Sequence, residues 1–215
     1  MPILTWDGVG EKKFETGVSN GVLYLYNSTT QKWEGVAWNG LTNVTESPEG
    51  GDTEDFYADN ILYASLRGIE KLNGSIECFT YPDEFEECIG RIAIAAGINV
   101  GQQDRRNFAL SYQSKLGNDL NVNAGYKIHV IYSCTANASE MSHDTEEDTP
   151  NMEPMSFDFS STSVPVTGHK STSSLVIDST KVDAAKLTIL KNALYGTENT
   201  VAYLPYPDEI LTLIA

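Results

Sequence analysis

Gly21-Val22-Leu23-Tyr24-Leu25-Tyr26, then Asn27-Ser28-Thr29-Thr30-Gln31, then Trp33-Glu34-Gly35-Val36-Ala37-Trp38 is the stretch that decides the fold class. Two runs rich in Val, Leu, Tyr and Trp flank a polar run of turn formers, which reads as strand, turn and strand. In the first run, residues of both parities are apolar or aromatic. Successive side chains of a strand point to opposite faces, so both faces of this strand need cover. Two sources stay open: the chain's own core on one face with a neighbouring subunit on the other, or burial of both faces within the monomer.

The same period of two recurs downstream. Phe108, Leu110 and Tyr112 share one face, Tyr126 to Tyr132 and Met155 to Ser160 alternate in the same way, and Ile61–Leu66, Gly74–Tyr81 and Leu175–Ile177 are further strand candidates. Asn43 to Asp59, with Pro48, Gly50, Gly51 and six acids, reads as a long turn-rich loop, a feature that is usually functional or disordered. Pro82 to Gly90 reads as a short helix with acids at its positive end. Asp183–Tyr195 is the one long helix expected: Leu187, Leu190 and Leu194 form an apolar stripe and Gly196 is a stop. Residues 1–20 read as an N-terminal arm, and residues 197–215 as a docked C-terminal extension with Pro205 and Pro207. Strands dominate without a βαβ rhythm, internal repeat or linker. The expectation is one domain over residues 1–215, mainly β, a sandwich or barrel with one flanking α-helix.

Composition narrows the function. Thirty acids against fourteen bases leave a formal charge of −16 and a pI near 4.4, which opposes a surface that grips nucleic acid or anionic lipid through phosphates. Eleven Tyr, seven Phe and three Trp are too many buriable rings for a disordered chain. Residues Met1–Asp7 lack the basic start and apolar core of a signal peptide, and no run approaches the ~20 apolar residues that span a bilayer. Cys78, Cys88 and Cys134 have no metal-ligand spacing and read as buried free thiols.

Catalytic constellations are absent. The sequence has no G-x-S-x-G, no phosphate-cradling Gly-rich loop with Lys, and no H-E-x-x-H. His129 sits in a strand pattern and reads as a sheet-surface residue. His143 lies in a second acidic loop, Glu140 to Glu153, whose Asp144-Thr145-Glu146-Glu147-Asp148 run lacks the Gly of a calcium loop. Glu86 and Glu87 are adjacent on a helix and diverge. No enzyme, metal or cofactor is expected.

Ordered short segments then carry a resemblance. Trp6-Asp7-Gly8-Val9-Gly10-Glu11, Phe14-Glu15-Thr16-Gly17-Val18, Gly35-Val36-Ala37-Trp38-Asn39-Gly40-Leu41-Thr42 and Tyr57-Ala58-Asp59-Asn60-Ile61 resemble the major tail (tail tube) proteins of long-tailed, non-contractile bacteriophages. Thr80-Tyr81-Pro82-Asp83-Glu84-Phe85, Gly125-Tyr126-Lys127-Ile128-His129 and Leu204-Pro205-Tyr206-Pro207-Asp208-Glu209 continue the likeness in order over nearly the whole chain. The resemblance implies a virion protein, assembled in the host cytoplasm. Its hexameric rings would join their sheets across subunits into a closed barrel and stack into a hollow tube that conducts DNA during ejection. The implied partners are other copies of the chain and the tape measure, tail terminator and distal tail proteins. DNA would pass without specific binding, and nothing would enter a membrane.

Two other readings compete: a single-ring tail terminator or head-tail connector, and a carbohydrate-binding β-sandwich using Trp6, Trp33 and Trp38. The opposite parity of Trp33 and Trp38 opposes a shared sugar platform. Within the tube reading, the 43–59 loop supplies the inter-ring candidates Glu46, Ser47, Pro48, Glu49, Asp52, Glu54 and Asp55. Alternation against Phe157 and Phe159 points Asp158 away from the core and makes it a candidate for the bore, and Glu77, between Ile76 and Cys78, is a second. Leu187, Leu190 and Leu194 would pack an outer helix onto the sheet.

Overall fold

The computed structural model describes residues 4, 6–142, 145 and 152–214; His143, Asp144, Glu146, Glu147 and Asp148 of the second acidic loop lie outside them. The strands are β1 (Lys13–Asn27), β2 (Lys32–Trp38), β3 (Leu41–Gly50), β4 (Thr53–Ala58), β5 (Ile61–Arg67), β6 (Glu70–Cys78), β7 (Ile92–Ala95), β8 (Ile98–Val100), β9 (Phe108–Asn118), β10 (Gly125–Ala136), β11 (Met155–Ser161), β12 (Ser174–Asp178) and β13 (Tyr203–Leu204). The helices are α1 (Ala184–Tyr195) and α2 (Pro207–Ile214). β1 and β2 form the expected hairpin, with Tyr24 opposite Gly35. Its turn is held by Asn27 Oδ1, which accepts from Thr29 N at 2.9 Å, the Asx geometry that makes Asn a turn residue.

Nine strands form one sheet in the order β13-β2-β1-β9-β10-β11-β6-β3, with β12 also paired to β10. The sheet bends over a core so that β3, β6 and β11 lie across from β1 and β9. That core holds Leu23, Leu25, Trp38, Ile76, Phe85, Phe108, Leu110, Phe157 and Phe159. Its rings meet edge to face, as Phe85 does with Phe108 (centroids 5.4 Å) and Phe157 (5.2 Å), the arrangement the aromatic quadrupole favours. A second core on the opposite face of the sheet joins Val22, Tyr24, Trp33, Ile128, Val130, Tyr132 and Ile177 to Leu187, Leu190, Leu194 and Ile210 of the helices. A bulge makes the two cores compatible in β10. Ser133 takes φ 45° and the register slips between Ile131 and Cys134, so β10 pairs with β12 before the bulge and β11 after it.

Several expectations are corrected here. Among the described residues no sheet closes into a barrel: the nine-stranded sheet is open, with β13 and β3 at its edges. The reason is local. Only Asn39 and Gly40 separate β2 from β3, and Gly40 bends the chain at φ 78°, so β2 stays on β1 while β3 crosses to β6. The mainly-β class stands, and the bent sheet is sandwich-like. Two helices flank it rather than one, because the C-terminal extension ends in α2. The 43–59 segment is not a loop but β3, a Gly50-Gly51 bend and β4. The N-terminal arm becomes strand from Lys13 onward, and residues 83–85 form a 3-10 turn rather than a helix over 82–90. Of the two sources of cover left open for β1, the structure shows the second: its other apolar face is covered within the monomer. Tyr24 is fully buried beneath α1, and its hydroxyl donates to Leu194 O at 2.8 Å, one of the terminal helix carbonyls that need an outside donor.

Candidate functional site

The outward face of β3, β6 and β11 follows from pairing and alternation. Asn43, Thr45, Ser47 and Glu49 of β3 stand opposite Glu77, Ser75, Asn73 and Lys71 of β6. Ser156, Asp158 and Ser160 of β11 stand opposite Glu77, Ser75 and Asn73 on the other side. All these side chains are exposed or half-buried, and none is apolar. Beneath them Ile76, Phe157 and Phe159 are buried. Asp158 and Glu77 thus lie on one hydroxyl- and amide-rich surface, diagonal to each other across the β6–β11 ladder. Gly74 sets how closely the layers approach: a Cβ there would lie 2.2 Å from Thr45 O and 2.5 Å from Phe159 Cζ.

Two hairpins stand apart from the main sheet as separate two-stranded sheets. The first, an arm made of β4 and β5, turns through Asp59 and Asn60, both at positive φ, the primed turn that matches strand twist. Phe56, Tyr57, Ile61, Leu62, Tyr63 and Leu66 of the arm are all exposed, Tyr63 by 77%. The inter-ring candidates Asp52, Glu54 and Asp55 lie at the arm's root and on its first strand, with Asp55 accepting from Ser65 Oγ at 2.5 Å. Ser47 and Glu49 lie on the polar face and Pro48 is exposed on β3. Glu46 instead turns inward. The second hairpin, a tongue made of β7 and β8, was not singled out by the sequence; its signal is the uncharged run from Ile92 to Gln103.

The chain has four arginines, and all sit at the roots of these hairpins. Arg67 Nε donates to Gly51 O at 2.9 Å, where Gly68 N also donates to Asp52 O. Arg91 pairs with Glu86 at 3.5 Å. Arg105 Nη1 donates to Ala136 O at 2.7 Å, and Arg106 bridges Glu87 Oε2 (2.8 Å) and Tyr26 O (2.7 Å). The planar guanidinium fork suits such multi-point anchoring.

One charged network joins β1, β3, β9 and β10. Glu15 accepts from Lys127 Nζ and, at 2.5 Å, from Ser114 Oγ. His129 Nε2 lies 3.0 Å from Glu15 Oε1, its ring stacks on Tyr112 with centroids 4.6 Å apart, and Tyr112 Oη donates to Glu46 Oε1 at 2.7 Å. His129 Nδ1 is 3.5 Å from Glu46 Oε1, an ion-pair distance rather than a hydrogen bond. Burial raises the pKa of Glu15, but the hydrogen bonds from Lys127, Ser114 and His129 outweigh it and hold the carboxyl at about 2. His129 is therefore not the sheet-surface residue its strand pattern suggests. Ser114 Oγ also lies 3.0 Å from His129 Nε2, but this is no nucleophile device, because Ser114 donates its proton to Glu15.

Other candidates resolve simply. Burial pushes the Cys78 and Cys88 thiols up to about 11 and 12, and raises the Cys134 thiol well above its ordinary value, which keeps them unreactive. Trp33 and Trp38 are buried in different cores, which removes the sugar-platform reading. No group of three or more His, Cys, Asp or Glu is placed to hold a metal among the described residues, and no helix there is long and apolar enough to cross a membrane.

A family model described as phage tail tube protein matches residues 31–194, from the β1–β2 turn to the last turn of α1. No curated protein matches the chain.

Proposed function

The chain belongs to the phage tail tube protein family, and from that premise we propose that it is the repeating subunit of a hollow tail tube. The family assignment makes it a structural, non-enzymatic tail protein. In the proposed assembly six copies form a ring, rings stack into the tube of the virion, and phage DNA passes through it from capsid to host. The polar face of β3, β6 and β11 is the observation that carries this reading. It has no apolar residue, and it bears Asp158, Glu77 and Glu49 against the single Lys71. Placed around the bore, each carboxylate becomes a ring of six. Net charge of that sign repels a duplex carrying about one negative charge per 1.7 Å. Screening over about 10 Å at 0.1 M salt confines the repulsion to the wall itself.

The arm and α1 take complementary places. The arm's exposed apolar side chains and acids reach towards an adjacent ring, and α1, with Leu187, Leu190 and Leu194 against the sheet, lies on the outer wall. Other copies are the main partner; the tube's ends meet the tape measure, tail terminator and distal tail proteins. Electron microscopy of the concentrated, purified protein tests the reading. Tubes of stacked rings are expected. Isolated rings favour a terminator or connector, and monomers at high concentration, with tail initiator proteins present, refute it.

A further inference from the structure

Asparagine followed by glycine is the dipeptide most open to spontaneous modification. The glycine nitrogen attacks the side-chain carbonyl carbon of the asparagine, ammonia leaves, and water opens the succinimide that results. Glycine has no Cβ to screen its nitrogen, and asparagine is accordingly a thermolabile residue. The chain has three such steps, Asn20-Gly21, Asn39-Gly40 and Asn73-Gly74. Reaction needs a free side-chain amide, an unengaged glycine N–H and room for the two atoms to meet within about 3–3.5 Å. The fold meets these conditions unequally.

Asn73 lies in the middle of β6. Its Nδ2 donates to Glu49 Oε2 at 2.7 Å, and Gly74 is paired on both sides, with Glu46 of β3 and Phe159 of β11. A residue flanked by strands on both sides commits its N–H to one of them. Asn20 lies in the irregular stretch of β1, where its Nδ2 donates to Gln113 Oε1 at 3.0 Å. Gly21 beside it has no room: a Cβ there would lie 2.2 Å from Leu41 Cδ1 and 3.2 Å from Trp38 O. Asn39 differs. It is exposed, as is Gly40, and both lie outside the strands. Among the described residues the Asn39 side chain makes no hydrogen bond and Gly40 N donates none. The anchors around this step hold other atoms. Trp38 Nε1 donates to Thr80 O at 3.0 Å, and Phe79 N donates to Gly40 O at 2.8 Å.

We propose that Asn39-Gly40 is a self-modification site, the one step of the three that the fold leaves free to deamidate. The Gly40 N–Asn39 Cγ bond forms as the Asn39 Cγ–Nδ2 bond breaks, and the Gly40 proton leaves with the amide as ammonia. Water then cleaves the ring at one of its two carbonyls. Breaking the new bond at Cγ gives aspartate; breaking the old peptide bond gives isoaspartate, with the main chain rerouted through Cγ. No oxidant, metal or enzyme enters. Either product adds one negative charge to the formal −16. The place matters as much as the charge. Asn39 and Gly40 are the whole link between β2, which stays on β1, and β3, which crosses to β6. Isoaspartate lengthens that link by one backbone atom. Trp38 and Leu41 on either side pack in the inner core, so the extra atom falls between two side chains whose positions the core fixes. The chain thus carries a clock at its layer crossing, where age turns a neutral link into a charged and, in part, longer one.

Ageing the full-length protein in heavy-oxygen water at mildly alkaline pH tests the site. Each deamidation incorporates one heavy oxygen, and peptide mapping by mass spectrometry assigns it to an asparagine. The same chain unfolded in urea supplies the reference rate of each step without the fold. The ratio of folded to unfolded rate should be at least about tenfold higher for Asn39 than for Asn20 or Asn73. A ratio for Asn20 or Asn73 equal to that of Asn39 overturns the proposal, as does a folded Asn39 that stays unlabelled after the unfolded chain has reacted. Asn39→Gln gives a second measure, because a side chain one carbon longer closes a six-membered ring far more slowly. It should remove the first acidic band that ageing produces in isoelectric focusing, while Asn20→Gln and Asn73→Gln should leave that band in place. Persistence of the band in aged Asn39→Gln refutes the site, and neither readout depends on whether the protein forms tubes.

Discussion

Leu190→Ala separates a helix that belongs to the monomer from one that covers the sheet only on assembly. Leu190 has no exposed surface and sits between α1 and the face of β1 that carries Val22 and Tyr24. Truncating a leucine at such a site removes transfer free energy and leaves a cavity, at a cost of about 2–5 kcal/mol. The site is held rigidly by the Tyr24 hydroxyl bond to Leu194 O at 2.8 Å and by the Asp183 cap, whose Oδ1 accepts from Ala185 N at 2.9 Å, so little collapse is available. A value of about 3 kcal/mol is expected. With a urea m-value of about 2 kcal/mol/M, the unfolding midpoint of the dilute monomer should fall by about 1.5 M. Urea titration followed by tryptophan fluorescence reads it directly, since Trp33 lies in the same core. Leu62→Ala, on the exposed arm, is the control and should stay within about 0.5 kcal/mol. If Leu190→Ala left the monomer's midpoint unchanged while preventing assembly, α1 would be docked by a neighbour and the covered face of β1 would be an interface after all.

Excising Thr53–Arg67 should be structurally clean, because Gly68 N already donates to Asp52 O at 2.9 Å; a folded monomer that forms no tubes is expected by circular dichroism and microscopy, and normal tubes would show the arm to be dispensable. Glu15→Gln should destabilise the protein at neutral pH. Because the folded carboxyl is depressed from 4.5 to about 2, its contribution is complete above about pH 4.5 and is lost as pH falls towards 2, so wild-type and mutant urea midpoints should converge across that window and run parallel above it. Gly74→Ala puts a methyl into Thr45 O and the Phe159 ring and should cost about 1–3 kcal/mol by overpacking, read as a lowered melting temperature. Asp158→Lys particles should assemble tails but eject DNA slowly, with added salt relieving the defect; normal ejection kinetics would take Asp158 off the DNA path.

The period-two pattern was the most legible part of the chain. It located β1, β2, β9, β10 and β11, and it put Asp158 opposite Phe157 and Phe159. The Asp183 cap, the leucine stripe and Gly196 framed α1 because a helix's stop signals are local. What escaped reading was long-range. The cover of Tyr24 stayed open between a neighbouring subunit and the monomer because the residue that supplies it, Leu194, is 170 positions away. Pro48, Gly50 and Gly51 read as a loop, although Gly50 and Gly51 are bends between strands, and the Asp59-Asn60 turn was the usable hairpin signal. α2 was hidden behind Pro205 and Pro207, yet Pro207 is its first residue, with Asp208 and Glu209 in its first turn, which is where proline and acids favour a helix. Glu46 and His129 could not be joined from sequence, since they come from strands that meet only when the sheet bends.

The exposed hairpins show why assembly is the hardest property to read from letters alone. Ile98 in the tongue and Ile76 in the core are the same residue in strands of similar composition, yet one is 55% exposed and the other not at all. Only after the chain's own covering elements are assigned does the difference appear. The bent sheet fills its inner core with its own side chains and the 83–88 turn, while α1 and α2 are both committed to the second core. No described element remains to cover the arm or the tongue. Monomers rarely leave contiguous apolar surface unpartnered without a binding role. If the proposed tube forms, other copies of the chain are the surface nearest at hand to cover these two hairpins.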